Sequence, residues 1–548
     1  MDTTNQIPQR APALVALIGI IAGLILSRYV TIAASIGLLL AIVFGALSLL
    51  SAIIDRQKLW LATFIFATAL GFWTYGSIRL PFKIDRDCEL PPREAELVLE
   101  IERVMQAENS FGKATGIAHV LEASSTSRLS KRNRVYFRLS KEDTSALNIG
   151  RGMQIRTKGV LSPVKVDEGG ESFGRYLQSI GVNHRFERTS ATEALKETPI
   201  FFNLCRSVNQ RFQDYLRLGE PGERDLSRIY IAMILGLKTE LTSEQEDRFR
   251  MTGTMHLFAI SGLHIGVVAA VIAQTLLMIR LPTSVRPFIG LPLLYFYVEI
   301  TGAAPSAVRA FLMVTFFWLG LGLRRQRSPL AALAASAIFV LVIQPGQLWQ
   351  MGFQLSYLVV LSILLFGLPL YASLWQRIRP YKYLPESDWT PFQKATSWLG
   401  DRAVMLLAIS LSAWLASAPL SAGFFGYIAP YAIFVNMLLV NLAALVISTG
   451  VISLSLATIG WHGMTAFLNH AAWLGISMMD GLIQLNLGIP GAIIECSGFP
   501  KLISYMSVLS YFSLIFLTTI KTKTRPMLRF LLPGAIVLAS LLCGMSFL

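Results

Sequence analysis

Gly-Thr-Met-His-Leu-Phe-Ala-Ile-Ser-Gly-Leu-His-Ile-Gly, residues 253–266, sets His256, Ser261, His264 and three glycines at the mouth of an otherwise apolar stretch. An ionisable side chain inside a bilayer costs about 2.5 kcal/mol or more, so it faces a bundle interior or a water-filled path. Taken as one helix over 256–267, the stretch puts His256, Ile260, Ser261, His264 and Val267 on one arc of ~140° and Gly262 and Gly266 opposite. Gly262-x-x-x-Gly266 then suits close approach of a neighbouring helix, leaving Ser261 and His264 to a cavity. The alternative is that both histidines only hydrogen-bond within the bundle.

The surrounding chain decides between soluble and membrane-embedded. Its 548 residues are 53% hydrophobic and 15% charged, with mean hydropathy +0.55, too apolar for a soluble globule. The expected fold is a polytopic α-helical membrane protein with an extracytoplasmic all-β insert, which would suit a small barrel such as an OB-fold. Apolar stretches near the ~20 residues needed to span a bilayer number about thirteen, three before a polar region and ten after it. The first, 11–27, is followed at once by 30–54, so both read as retained helices rather than a cleaved signal. The expected organisation is three helices over 1–81, the insert over 82–200, an amphipathic connection over 201–250, a transmembrane core over 251–460 and further helices over 461–548.

Charge supplies an orientation. With the N-terminus in the cytoplasm, the inner loops collect Arg56 and Lys58, Arg280 and Arg286, Arg324, Arg325 and Arg327, the basic residues between Arg377 and Arg402, and Lys521 to Arg529. The outer short loops hold little beyond Arg28 and Lys501. This places 82–200 outside the cytoplasmic membrane. Topology alone accounts for most of the net charge of +15, which is therefore weak support for a nucleic-acid partner.

Within the insert the pattern shortens to alternating runs at 96–102, 134–139 and 154–160, punctuated by Gly150, Gly152 and Gly159. Arg128, Lys131, Arg132, Arg134, Tyr136, Phe137, Arg138 and Lys141 interleave charge with rings, as single-strand-binding barrels do. A solvated edge strand blunted by basic residues reads equally well. Cys88 and Cys205 flank the insert where a disulfide is chemically permitted.

Four ordered segments resemble the ComEC competence family: 150–182 with Ser172-Phe173-Gly174-Arg175-Tyr176-Leu177; 253–266; Thr301–Met313 with Gly302-x-x-Pro305-Ser306-x-x-Arg309-Ala310; and Gly352-Phe353-Gln354-Leu355-Ser356. A looser match runs from Ser412 through Ala418-Pro419 to Asn436. The resemblance implies an inner-membrane channel for single-stranded DNA in natural transformation. The path would be lined by His256, Ser261, His264, Ser306, Arg309, Gln354 and Ser356, and the outer domain would bind DNA through Arg132, Arg134, Tyr136 and Arg138. Arg309, one turn into its helix, is placed to meet a phosphate or to pair with Glu299.

Many members of that family also carry a metallo-β-lactamase-like domain, whose His-x-His-x-Asp-His motif this sequence lacks, as it lacks a Gly-x-x-x-x-Gly-Lys-Ser/Thr loop. No catalytic residue, metal ligand set or cofactor is therefore expected. The expected partners are single-stranded DNA, the bilayer, a separate cytosolic motor, a separate nuclease and a second copy of the chain. Two rivals stand beside the channel: a secondary transporter of a small or lipid-linked anion sharing the fold, and a relative kept for a structural role in the envelope.

Overall fold

The computed structural model describes residues 12–30, 33–80, 91–106, 113–124, 129, 133–147, 149–164, 173–220, 224–258, 260–322, 328–520 and 528–546. The chain opens with three apolar helices, α1 (Pro12–Tyr29), α2 (Ala34–Ile53) and α3 (Gln57–Arg79). Small residues let α1 and α3 almost touch backbones. A Cβ built on Gly23 would lie 2.1 Å from the carbonyl oxygen of Ala69, so any side chain there would force the pair apart.

The polar insert folds as a closed barrel of β1 (Arg93–Gln106), β2 (Thr115–Ala123), β3 (Arg134–Arg138), β4 (Gln154–Pro163) and β5 (Val182–Lys196), ordered β1-β2-β3-β5-β4. It is not purely β: α4 (Lys141–Ala146) and α5 (Phe173–Ser179) lie between strands. Alternation drives closure, because every second side chain turns inward. Leu97, Leu99, Ile101, Val120, Val135, Phe137, Ile155, Leu161 and Phe186 are all buried there. β3 pairs antiparallel with β2 and parallel with β5, so the edge-strand reading of its basic residues is overturned. Asp143 ties α4 to β5, accepting hydrogen bonds from Ser140 Oγ at 2.7 Å, Thr189 Oγ1 at 2.9 Å and the Thr192 N–H at 3.3 Å.

Beyond the barrel, α6 (Ile200–Leu216), α7 (Arg224–Leu235) and α8 (Ser243–Met251) lead into the core helices α9 (Gly262–Met278), α10 (Arg286–Ile300), α11 (Pro305–Gly322) and α12 (Pro329–Ile343). A 3-10 turn, Pro345–Trp349, joins α12 to α13 (Met351–Ser362), which passes through a π turn, Ile363–Gly367, into α14 (Leu368–Ile378). The remainder is α15 (Pro391–Phe425), β6 (Tyr427–Ile428), α16 (Ala432–Thr458), α17 (His462–Leu487), β7 (Ile494–Glu495), α18 (Lys501–Ile520) and α19 (Leu528–Met545).

Among the described residues, six helical segments are long and apolar enough to cross a membrane: α2, α3, the continuous α13–α14, α15, α16 and α18. Five shorter apolar helices, α1, α9, α11, α12 and α19, accompany them. The protein is a multi-pass membrane protein. α7, buried along most of its length, forms the centre of the largest apolar cluster with α9, α10, α16 and α17.

The barrel is docked on this core by polar contacts. Arg151, in the turn where Gly152 takes φ 77°, donates through Nη1 to Glu299 Oε2 at 2.6 Å and lies 4.9 Å over the ring of Phe202. The Glu299 side chain is 5% exposed and that of Arg151 40%. Asn209 of α6 donates to the Ile300 carbonyl at 2.8 Å.

The asymmetry of burial sets the first prediction. Removing one partner of a buried pair costs about 3–5 kcal/mol when the stranded charge cannot reach water. Arg151→Ala strands Glu299, whereas Glu299→Gln leaves a solvated arginine. The detergent-purified chain should therefore melt at a lower temperature with Arg151→Ala than with Glu299→Gln, and equal melting temperatures would contradict the docking role. The second concerns Asp143. Burial raises its carboxyl pKa, but hydrogen bonds from Ser140, Thr189 and Thr192 outweigh that and hold it below the usual value. A lowered folded-state pKa gives stability that is complete above the unfolded value, ~3.9, and is lost as pH falls through the folded one. Hydrogen exchange of β5 amides should show Asp143→Asn opening more readily than wild type at pH 6, by about 1–3 kcal/mol. The gap should close toward pH 3; a pH-independent gap would count against it.

Candidate translocation chamber

Where barrel, α6 and core meet, they enclose a chamber of about 740 Å³, inside the ~300–1,000 Å³ range of ligand sites. The barrel contributes Glu102, Arg103, Arg134 and the Gly150–Arg151 turn. α6 contributes Phe202, Arg206, Asn209, Gln210 and Gln213. The core contributes Tyr295, Glu299, the 301–303 turn, Arg309, Gln344, Gln347 and Gln350. Five arginines face two glutamates in this lining, so the chamber is cationic.

Both carboxylates are already engaged. Glu102 accepts from Arg134 Nη2 at 2.7 Å and lies 3.2 Å from His119 Nε2. Burial pushes its carboxyl up, but the His119 hydrogen bond and the positive charge of Arg134 outweigh that and keep it below the ordinary carboxylate range. Arg134 also donates to the Ile180 carbonyl at 3.0 Å. Glu299 belongs to Arg151, which overturns the expectation that it neutralises Arg309.

Arg309 is the exception. It is 4% exposed, donates through Nη2 to the Gly352 carbonyl at 2.9 Å, and its buried Nε has no hydrogen-bond partner among the described residues. Removing a guanidinium from water costs several kcal/mol, and a neutral carbonyl returns little of it. A charge held this way at a cavity wall is poised for an anion.

The turns around Arg309 explain its position. Gly302 and Ala303 adopt φ 82° and 47°, breaking α10 from α11, and Pro305 begins α11. Ser306 Oγ donates to the Ile260 carbonyl at 2.6 Å, fastening the 253–266 segment to α11. That segment is not the continuous helix expected over 256–267. A 3-10 turn covers Met255–Leu257, and α9 begins only at Gly262 because Ser261 is extended, at φ −112° and ψ 177°. His264 Nδ1 accepts from the Ser261 N–H at 3.3 Å and sits 3.0 Å from its hydroxyl, a capping pair. His264 is fully buried. It is a structural cap and does not line the chamber.

The other expected residues are scattered. His256 lies in the 3-10 turn, and its side chain falls outside the described ones. Gln354 donates to the Leu348 carbonyl at 3.0 Å, and Ser356 is half-buried on α13. Of the six path residues whose side chains are described, only Arg309 is in the chamber lining. A Cβ at Gly262 or Gly266 meets nothing within 4 Å, which corrects their assignment to close helix packing: both face outward from the chain. In the barrel, Arg134 reaches the chamber, Tyr136 packs edge-on against Phe173 at 5.2 Å, and Arg138 is half-buried on β3. Arg132 lies outside the described residues, as does Cys88 of the chemically permitted disulfide; Cys205 is buried on α6.

Sequence reading missed Arg103, Arg151 and Arg206 and all six amides. The signals were present: Asn209 and Gln213 are one helical turn apart, and Gln344, Gln347 and Gln350 recur every third residue around Pro345.

Comparison with known proteins places these observations. No solved structure matches the chain. ComE operon protein 3 of Bacillus subtilis (strain 168) is 32% identical over 141 residues, covering 26% of this chain and 18% of that protein, so the match spans under a fifth of the relative's length. The family model described as competence protein matches residues 233–523, more than half of the 548. That region holds the 253–266 segment, the Ser306–Arg309 helix entry and the turn that presents Gln347, and by it the chain belongs to the competence protein family.

Proposed function

We propose that the protein carries single-stranded DNA across the bacterial inner membrane during natural transformation, and that the chamber is the strand's point of entry into the helical core. The observation that carries this reading is the cationic chamber between barrel and core, with Arg309 buried in its wall and bonded to no carboxylate among the described residues. The family supports a role in competence, and the relative's name is consistent with it.

The five-stranded closed barrel fits the plan of OB-folds, which bind single strands in a basic groove lined with aromatic platforms. In this reading the barrel lies outside and delivers the strand past Arg134 and Arg103. Arg151, Arg206 and Arg309 then compensate successive phosphates as they leave water. The membrane potential, negative inside, opposes this entry by about 2.3 kcal/mol per charge per 100 mV. The chain is accordingly read as a passive conduit and not an enzyme. Pulling is assigned to a cytosolic motor, and removal of the complementary strand to a separate nuclease.

Arg309→Ala, expressed at the wild-type membrane level, should leave labelled DNA at the cell surface and lower internalised label by tenfold or more, ~1.4 kcal/mol of lost stabilisation. Internalised label at the wild-type level would remove Arg309 from the path. Normal DNA uptake on deletion of the whole chain would instead favour the small-anion transporter.

A further inference from the structure

Besides arginine, the chamber lining is rich in side-chain amides. Asn209, Gln210 and Gln213 come from α6, and Gln344, Gln347 and Gln350 from the turn between α12 and α13. Charge compensation does not explain them, since an amide carries no net charge. Asn209 donates to the Ile300 carbonyl and Gln350 to the Ser179 carbonyl at 3.4 Å, but Gln210, Gln213 and Gln347 are incompletely spent on the fold. Gln347 donates to Gln344 Oε1 at 2.7 Å, but its own buried Oε1 has no partner among the described residues. Gln213 donates to Asn209 Oδ1 at 2.8 Å, which leaves the Gln213 carbonyl oxygen available. Gln210 is exposed.

An amide offers an acceptor and two donors in one plane. That is the complement of a nucleobase edge, which Asn and Gln read by paired hydrogen bonds. In a duplex the Watson–Crick edges are occupied; in a single strand they are open. Resting on the conduit reading above, we infer that these two amide rows hold the base edges of an unpaired strand while the arginines hold its phosphates. The chamber thereby discriminates a nucleic-acid strand from other polyanions. Because each amide can present either its donor or its acceptor side, the contact tolerates any base and excludes bases already paired.

The test uses the full chain purified in detergent and two fluorescent probes of equal length and charge: a mixed-sequence oligodeoxynucleotide, and an abasic phosphodiester chain. Wild type should bind the oligonucleotide at least about fivefold more tightly. Gln210→Ala, and separately Gln347→Ala, should bring that ratio toward one while leaving abasic affinity unchanged, which also reports that the variant is folded. Arg309→Ala should weaken both probes equally. Equal binding of the two probes by wild type, or an unchanged ratio in both amide variants, would overturn the amide assignment and leave the conduit standing. Absence of binding to either probe at low salt would overturn the conduit itself.

Discussion

Irregular backbone at membrane depth survives only where protein or water satisfies its polar groups, and in this chain the breaks converge. The left-handed turn at Gly302 and Ala303 and the 3-10 turn at Pro345–Trp349 with its flanking glutamines line one chamber, and the extended segment before α9 is fastened to α11, the helix that carries Arg309. Each is closed by a specific bond: Ser261 with His264, Ser306 with the Ile260 carbonyl, and Gln354 with the Leu348 carbonyl. The polar residues that look like pore lining in the sequence are largely the fastenings of these breaks. What they fasten in place is the lining.

Electrostatics then separates docking from binding. Arg151 and Arg134 have carboxylate partners and hold the barrel against the core and against itself. Arg309 has only the Gly352 carbonyl as a hydrogen-bond acceptor among the described residues. With desolvation costing several kcal/mol, a fold under selection for stability alone gains more from an apolar residue at 309. Its presence is intelligible if an anion supplies the missing compensation from time to time. The paired arginines allow the same exchange at less cost, since a phosphate approaching Arg151 offers what Glu299 already provides. The six amides fill the space between these charges without adding to them.

How far the sequence carries depends on whether a property is periodic. The membrane class, the strands near 96–102, 134–139 and 154–160, and family membership all follow from local pattern, and the observed strands cover those positions except Leu139. Barrel closure is a long-range property: nothing local to β3 says that it pairs with β5. The expected helix over 256–267 failed for a physical reason, because a 3.6-residue wheel assumes continuous backbone and Ser261 breaks it. Pairing of Glu299 with Arg309, one of the two alternatives that nearness in sequence offered, did not occur; the partner of Glu299 came from the barrel, 148 residues away. Gly262 and Gly266 show that a small-residue motif reports the capacity for close packing, not a partner. The amide rows were missed because Gln and Asn are ordinary surface residues until two distant segments bring them together.

The central claim, that the strand passes through this chamber, is tested most directly by a photoreactive residue placed at position 210, on the α6 wall, in cells taking up labelled DNA. Illumination during uptake should join the chain covalently to single-stranded label that is protected from external nuclease. Undiminished uptake without any such adduct, while the same probe on the outer face of the barrel still yields one, would mean that the strand crosses elsewhere.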